Sequence, residues 1–147
     1  MSTHATIGAL NADGSVDMIY LHSDGYPSYA AVMLHDHWSD EDKVRKLISM
    51  GDCSMLGSEI GERHDFGDHY PKGHERRGWS RFYGRDRGDT TPPSMYSSVQ
   101  DARRDAQRYF YLFVPKHGWH AVTGRKSAVP VSGLVAKIKA EGESRID

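Results

Sequence analysis

The amino-acid sequence predicts an α+β fold: an antiparallel sheet of about five strands packed with helices, in the order ββααβαββα. Three observations predict it. Two alternating runs, residues 4–11 and 15–23, flank Asn11-Ala12-Asp13-Gly14 and read as a hairpin. Helical spacing then takes over between Ala30 and Met50, so helices follow the hairpin directly. The densest β signal, Tyr109 to Val114, comes late and is followed by Pro115-Lys116-His117-Gly118 and a second extended run over 119–123.

In chain order, Val16, Met18, Tyr20 and His22 share one face of the second strand, with Ile19 and Leu21 on the other. The stretch His22-Ser23-Asp24-Gly25-Tyr26-Pro27-Ser28-Tyr29 turns strand into helix: Asp24-Gly25 offers positive φ, Pro27 holds Tyr26 extended, and Ser28 is placed to cap. Ala30, Met33, Leu34, His37 and Trp38 follow helical spacing. A second helix fits 40–50, with Ser39 and Asp42 as a capping box, Val44, Leu47 and Ile48 inward, and Gly51 as a left-handed stop. Residues 58–78 lose all periodicity and form an irregular excursion rich in His, Gly and acids. Residues 79–87 read as a strand, and 98–108 as a helix with Val99, Ala102 and Ala106 inward. Residues 125–147 read as a helical extension capped at Ser132.

At 147 residues the chain is expected to form one domain, 1–147, burying roughly 70% of the surface its unfolded form exposes. The lone Cys53 excludes an internal disulfide, no apolar run reaches a membrane span, and no signal peptide is visible, so a cytoplasmic protein is expected. Net charge is −1, but residues 1–70 carry −8 and residues 71–147 carry +7. The average argues against general nucleic-acid binding, while the division can mark an interaction surface.

Chemistry concentrates in two places. On a strand, Trp79, Arg81, Tyr83, Arg85 and Arg87 would share a face, alternating aromatic planes that stack on bases with guanidinium forks that hold phosphates. The competing account pairs these arginines with carboxylates such as Asp89. The corner adds His22, Asp24 and Tyr26, suited to sugar hydroxyls, with His22 and Asp24 also a conceivable acid/base pair. His64, Asp65, Asp68, His69, His74 and Glu75 crowd the excursion without recognised ligand spacing, so no metal and no cofactor is assigned. Phosphate-binding, dinucleotide, zinc-protease and nucleophile-elbow motifs are all missing, and no catalytic residue is assigned.

One pattern runs through these pieces: His22-x-Asp24-Gly25-Tyr26-Pro27, then Val44-x-x-Leu47-Ile48-x-x-Gly51-Asp52-x-Ser54-x-Leu56-Gly57, then Tyr83-x-Arg85-Asp86-Arg87-Gly88-Asp89, then an aromatic strand ending near Trp119. It resembles a family of small phage and prophage proteins of unassigned activity, over roughly residues 15–122. Members have Trp or Phe at the position of Ser23 and Glu at that of Asp89, and often lack the excursion and the tail after about Gly124. The resemblance implies a phage accessory protein and nothing about mechanism; short phage accessory proteins of this size often act in the host cytoplasm against antiviral immunity, and that role is the expectation here. Its partner would be a small nucleotide signal that it sequesters, bound by His22, Asp24, Tyr26, Arg81, Tyr83, Arg85 and Arg87. Alternatives are an anti-CRISPR-like grip on a host defence protein, presenting the acidic half as a phosphate mimic, and a small hydrolase or transferase acting on a nucleotide. Homo-oligomerisation stays open.

Overall fold

The computed structural model describes residues 3–67, 78–124 and 127–146. The hairpin is present: β1 (Ala5–Leu10) pairs antiparallel with β2 (Val16–Leu21) in the register Ala5↔Leu21 to Leu10↔Val16. Its turn is closed by the Asp13 carboxylate, which accepts from both the backbone N–H and the hydroxyl of Ser15. Helices α1 (Ala30–His37) and α2 (Glu41–Ser49) follow, and Gly51 takes φ 80° just beyond. The caps differ from expectation. Asp40, not Ser39, caps α2, accepting from Lys43 N at 3.0 Å. Ser28 caps nothing; α1 is entered through a turn in which Tyr26 O accepts from Tyr29 N and Ala30 N.

β3 (Cys53–Met55) and β4 (Arg81–Phe82) come next, then α3 (Tyr83–Arg87), β5 (Ser94–Tyr96), α4 (Val99–Asp105), β6 (Tyr109–Val114), β7 (Gly118–Val122), β8 (Ala128–Pro130) and α5 (Val131–Ile146). The sheet order is β4-β3-β2-β1-β6-β7-β8, with β5 also on β2. The expected antiparallel sheet is therefore corrected to a mixed one, because β1–β6 and β2–β3 run parallel. Parallel neighbours need a crossover, and here α1 with α2 supplies one while α4 leads into the other. The three strands beyond the expected five are short, β3, β5 and β8 having three residues each, and of the strand expected over 79–87 only the two residues of β4 remain. At that length no alternation can show. The C-terminal segment is likewise not helix alone, since β8 precedes α5 and Ser132 lies inside the helix.

Each face of the sheet has its own core. Ile7, Ile19, Leu21, Tyr111, Phe113 and Trp119 pack with Leu34, Trp38, Val44 and Leu47 of the α1–α2 layer and with Val131 and Val135 of α5. Val16, Met18, Phe110, Leu112 and Val122 pack with Ala102 of α4 on the other face. Buried polar groups in the larger core are satisfied in a chain: Trp119 Nε1 donates to Trp38 O at 2.8 Å and Trp38 Nε1 to Gly57 O at 3.0 Å. Helix α4 covers only part of its face. The far ends of β1 and β2 thus leave His4, Tyr20 and His22 half-buried at the sheet's surface.

Candidate functional site

Residues 79–87 do not form the predicted strand, and the five side chains do not share a face. Pairing stops after Phe82, and one and a half turns of helix follow. The Asp86 carboxylate reaches back to Phe82 N at 2.8 Å, satisfying a buried donor at the helix start. Gly88, at φ 88°, ends the helix in the left-handed conformation, with Gly88 N bonded to Gly84 O. Alternation of aromatic and arginine mimicked a strand, while these two end signals set the structure.

The arginines consequently divide. Arg85 is turned inward: Nε and a terminal nitrogen bind Asp86, and the other donors go to Ile60 O, Gly61 O and Ser80 O. All five of its donors are engaged, so it clamps the 58–61 segment onto α3 and has no fork left for a phosphate. Arg81 is buried, bonded through Nε and a terminal nitrogen to Ser54 Oγ and through the other to Phe66 O. Arg87 is exposed; it forks onto Asp89, with a shortest contact of 2.6 Å, and lies 4.7 Å from the centres of both the Phe66 and Tyr83 rings. Burial works to raise the Asp86 pKa, but hydrogen bonds from Arg85, Phe82 N and His64 N and the charge of Arg85 outweigh it and hold the group below the ordinary carboxylate range.

Beside Tyr83 lies a hydrogen-bonded triplet. Tyr20 Oη is 2.8 Å from Nδ1 of His4 and from Nδ1 of His22, and His4 Nδ1 is 2.8 Å from His22 O. A carbonyl only accepts, so His4 Nδ1 carries the proton; the Tyr20 hydroxyl then donates to His22 Nδ1, leaving the proton of a neutral His22 on Nε2. Burial first, then the charges of His4 and Arg81, push the His22 pKa down, which agrees with a neutral ring accepting from Tyr20. The His22 ring meets Tyr83 edge-on at 6.5 Å, and Tyr83 in turn lies 5.3 Å from Phe66. His22, Tyr83 and Arg87 are thereby brought into one patch with His4, Tyr20 and Phe66.

Asp24 does not pair with His22, because β2 ends at Leu21 and Asp24 takes a left-handed φ of 57°. It is Asp24, rather than Gly25, that makes the positive-φ turn. Gly25 serves close approach, and its carbonyl accepts from Tyr111 Oη at 2.8 Å. Tyr26 is exposed and borders a hollow shared with His4, Arg108 and Tyr109. Within the excursion, His64 is buried, packed on Trp79 and hydrogen-bonded to Glu62 O. Asp68, His69, His74 and Glu75 lie outside the described residues, among which no group of three or more His, Cys, Asp or Glu is placed to hold a metal. No helix among them is long and apolar enough to cross a membrane.

The sequence reading missed His4, Tyr20 and Phe66. The first two were recoverable: the hairpin register carried one step beyond Ala5↔Leu21 sets His4 opposite His22, with Tyr20 on the same face. Phe66 carried no signal, since only the folding of the excursion brings it to Tyr83. The chain matches no family model, no curated protein and no solved structure.

Proposed function

We propose that this chain is a phage accessory protein that counters antiviral immunity by binding and holding a small nucleotide-like signal at the patch of His22, Tyr83, Phe66 and Arg87. One observation carries the reading: Arg87 lies over two neighbouring aromatic rings beside a pair of imidazoles oriented by Tyr20 and the His22 carbonyl. Such a surface offers planes for a base and a mixed set of donors and acceptors for ribose and phosphate. In this reading Arg81 and Arg85 position the patch, and Arg87 alone of the three faces the ligand. Isothermal titration of the full chain with cyclic and linear adenine nucleotides tests it. We expect saturable binding tighter than about 10 µM, near −7 kcal/mol, with Tyr83→Ala weakening it tenfold or more, as loss of one stacked base would. Absence of binding across the panel sinks the proposal, and ligand recovered chemically changed after denaturation turns it toward an enzyme.

The exposed carboxylates Asp40, Glu41 and Asp42 at the start of α2 favour a second reading, a protein-binding inhibitor that presents phosphate-like charge to a host defence protein. A host protein captured by wild type and lost with Asp40→Asn/Glu41→Gln/Asp42→Asn, in a chain that binds no nucleotide, would establish it.

A further inference from the structure

We propose that the groove between α4, the start of β6 and the end of β7 is a second binding site, for a small organic anion: a phosphate monoester or carboxylate joined to a flat apolar body. It goes beyond the nucleotide reading and stands if that reading fails. Two cavities, of about 440 and about 480 Å³, share Arg103. Arg104 borders the first; Arg108 borders the second, together with an apolar wall that includes Tyr109, Phe110, Val122 and Val129. The wall is open because the β6–β7 ladder runs only from Tyr111↔Ala121 to Val114↔Gly118, so the strands part where β6 begins and β7 ends.

The charge here is unbalanced. Both carboxylates of α4 are engaged elsewhere: Asp105 accepts from Tyr96 Oη at 2.8 Å, and Asp101 accepts from Ser97 Oγ and pairs with Arg104. Among the described residues Arg103 and Arg108 have no carboxylate partner. Arg108 lies 5.3 Å from the centre of the Tyr109 ring, which places a guanidinium over the aromatic wall. The Arg103 Nε is buried with no hydrogen-bond partner, and one terminal nitrogen makes only a 3.4 Å contact to Gln107 O. Folded proteins rarely leave a buried charged donor so poorly matched, and one at the seam of two cavities marks a place suited to an incoming acceptor. An acidic head held by Arg103 and Arg108 would leave the apolar body against Tyr109, Phe110 and Val129, a division that excludes both bare inorganic anions and neutral aromatics as good ligands.

The test is a titration of the ¹⁵N-labelled full chain, followed through backbone amides and the arginine Nε–H signals, with phenyl phosphate, benzoate, inorganic phosphate and benzyl alcohol as probes. The expected result is saturable change confined to 100–110, 121–124 and 128–130, with either organic anion binding at least tenfold tighter than inorganic phosphate or benzyl alcohol. The tighter of phenyl phosphate and benzoate names the head group. Arg108→Gln, at an exposed position where folding is not at stake, and Arg103→Gln should each weaken that probe roughly tenfold, whereas Lys137→Gln, an equal loss of charge on α5, should not. No saturable change with any probe up to about 10 mM, an affinity unmoved by both arginine substitutions, or equal binding of benzyl alcohol would overturn the proposal.

Discussion

Asp86 is the residue on which the centre of the motif region turns. Its two oxygens accept from His64 N, Phe82 N and two nitrogens of Arg85, tying the excursion, β4 and α3 together in a buried position. Breaking such a pair leaves a charge without compensation, so Arg85→Ala is expected to cost about 3–5 kcal/mol, read as a melting temperature lowered by roughly 10 °C; an unchanged melt would return Arg85 to the list of available ligands. The Asp86 pKa is depressed, so its contribution is fully present above the unfolded value near 4 and disappears as pH falls through the lower folded value. His22 is also depressed, here because burial and positive neighbours oppose its charge. Its linked stability is complete above about pH 6.5 and declines as acidification protonates it in the fold. An imidazole titration by NMR should place its midpoint below that of free histidine, and a midpoint at or above about 6.5 would contradict the depression by burial and neighbouring charge. Cys53 behaves oppositely to a nucleophile: burial pushes its thiol up to about 12, and Sγ donates to Met55 O. Native protein should resist a thiol reagent at neutral pH and yield its single thiol only on denaturation.

At the scale of elements, what was legible depended on length and on whether end signals agreed with pattern. The first hairpin, α1, α2 and the β6–β7 hairpin were readable because each repeats its period several times and ends on turn residues. β3, β5 and β8 were not, since three residues hold no period, and they exist because longer neighbours offer an edge to pair with. Residues 79–87 show the opposite failure: alternation was long enough to convince, but the Asp86 reach-back and Gly88 decided for helix. The candidate site inherits this. His22 and Tyr83 were visible as residues, while their meeting depends on α3 turning Tyr83 toward the open end of β2. The corner itself can be tested at Gly25, whose packing was also hidden. An alanine Cβ there would meet Ala5 Cβ at 2.7 Å and backbone atoms of His4 and Ala5 at 2.9 Å. Gly25→Ala should therefore destabilise by about 1–3 kcal/mol through overpacking of the corner against β1. Denaturant unfolding measures it, and a neutral result would mean that the corner yields more freely than its hydrogen bonds to Thr3 and Tyr111 imply.

Across the whole molecule, the charge division along the sequence does not survive as two separate bodies, because β6 of the basic half inserts beside β1 of the acidic half. The same interleaving makes the C-terminal segment part of the fold rather than an appendage. Val131 and Val135 of α5 are fully or almost fully buried in the larger core, where they join Trp119 and Leu34. Lys139 reaches across to Asp36 of α1 at 2.9 Å, but both partners are exposed enough that the pair contributes at most about 1 kcal/mol. Burial must dominate: two valines at about 1.5–3 kcal/mol each give about 3–6 kcal/mol for the segment, with added cost from uncovering the aromatic residues beneath. Deleting residues 125–147 should accordingly lower the melting temperature by roughly 10–20 °C, whereas Lys139→Ala in the full chain should move it by no more than a few degrees. If the shortened chain melts within about 2 °C of the full one, a shift worth less than about 1 kcal/mol, α5 is a lid on a core complete without it. If Lys139→Ala accounts for most of the loss, the ion pair and not the apolar seam fastens the segment.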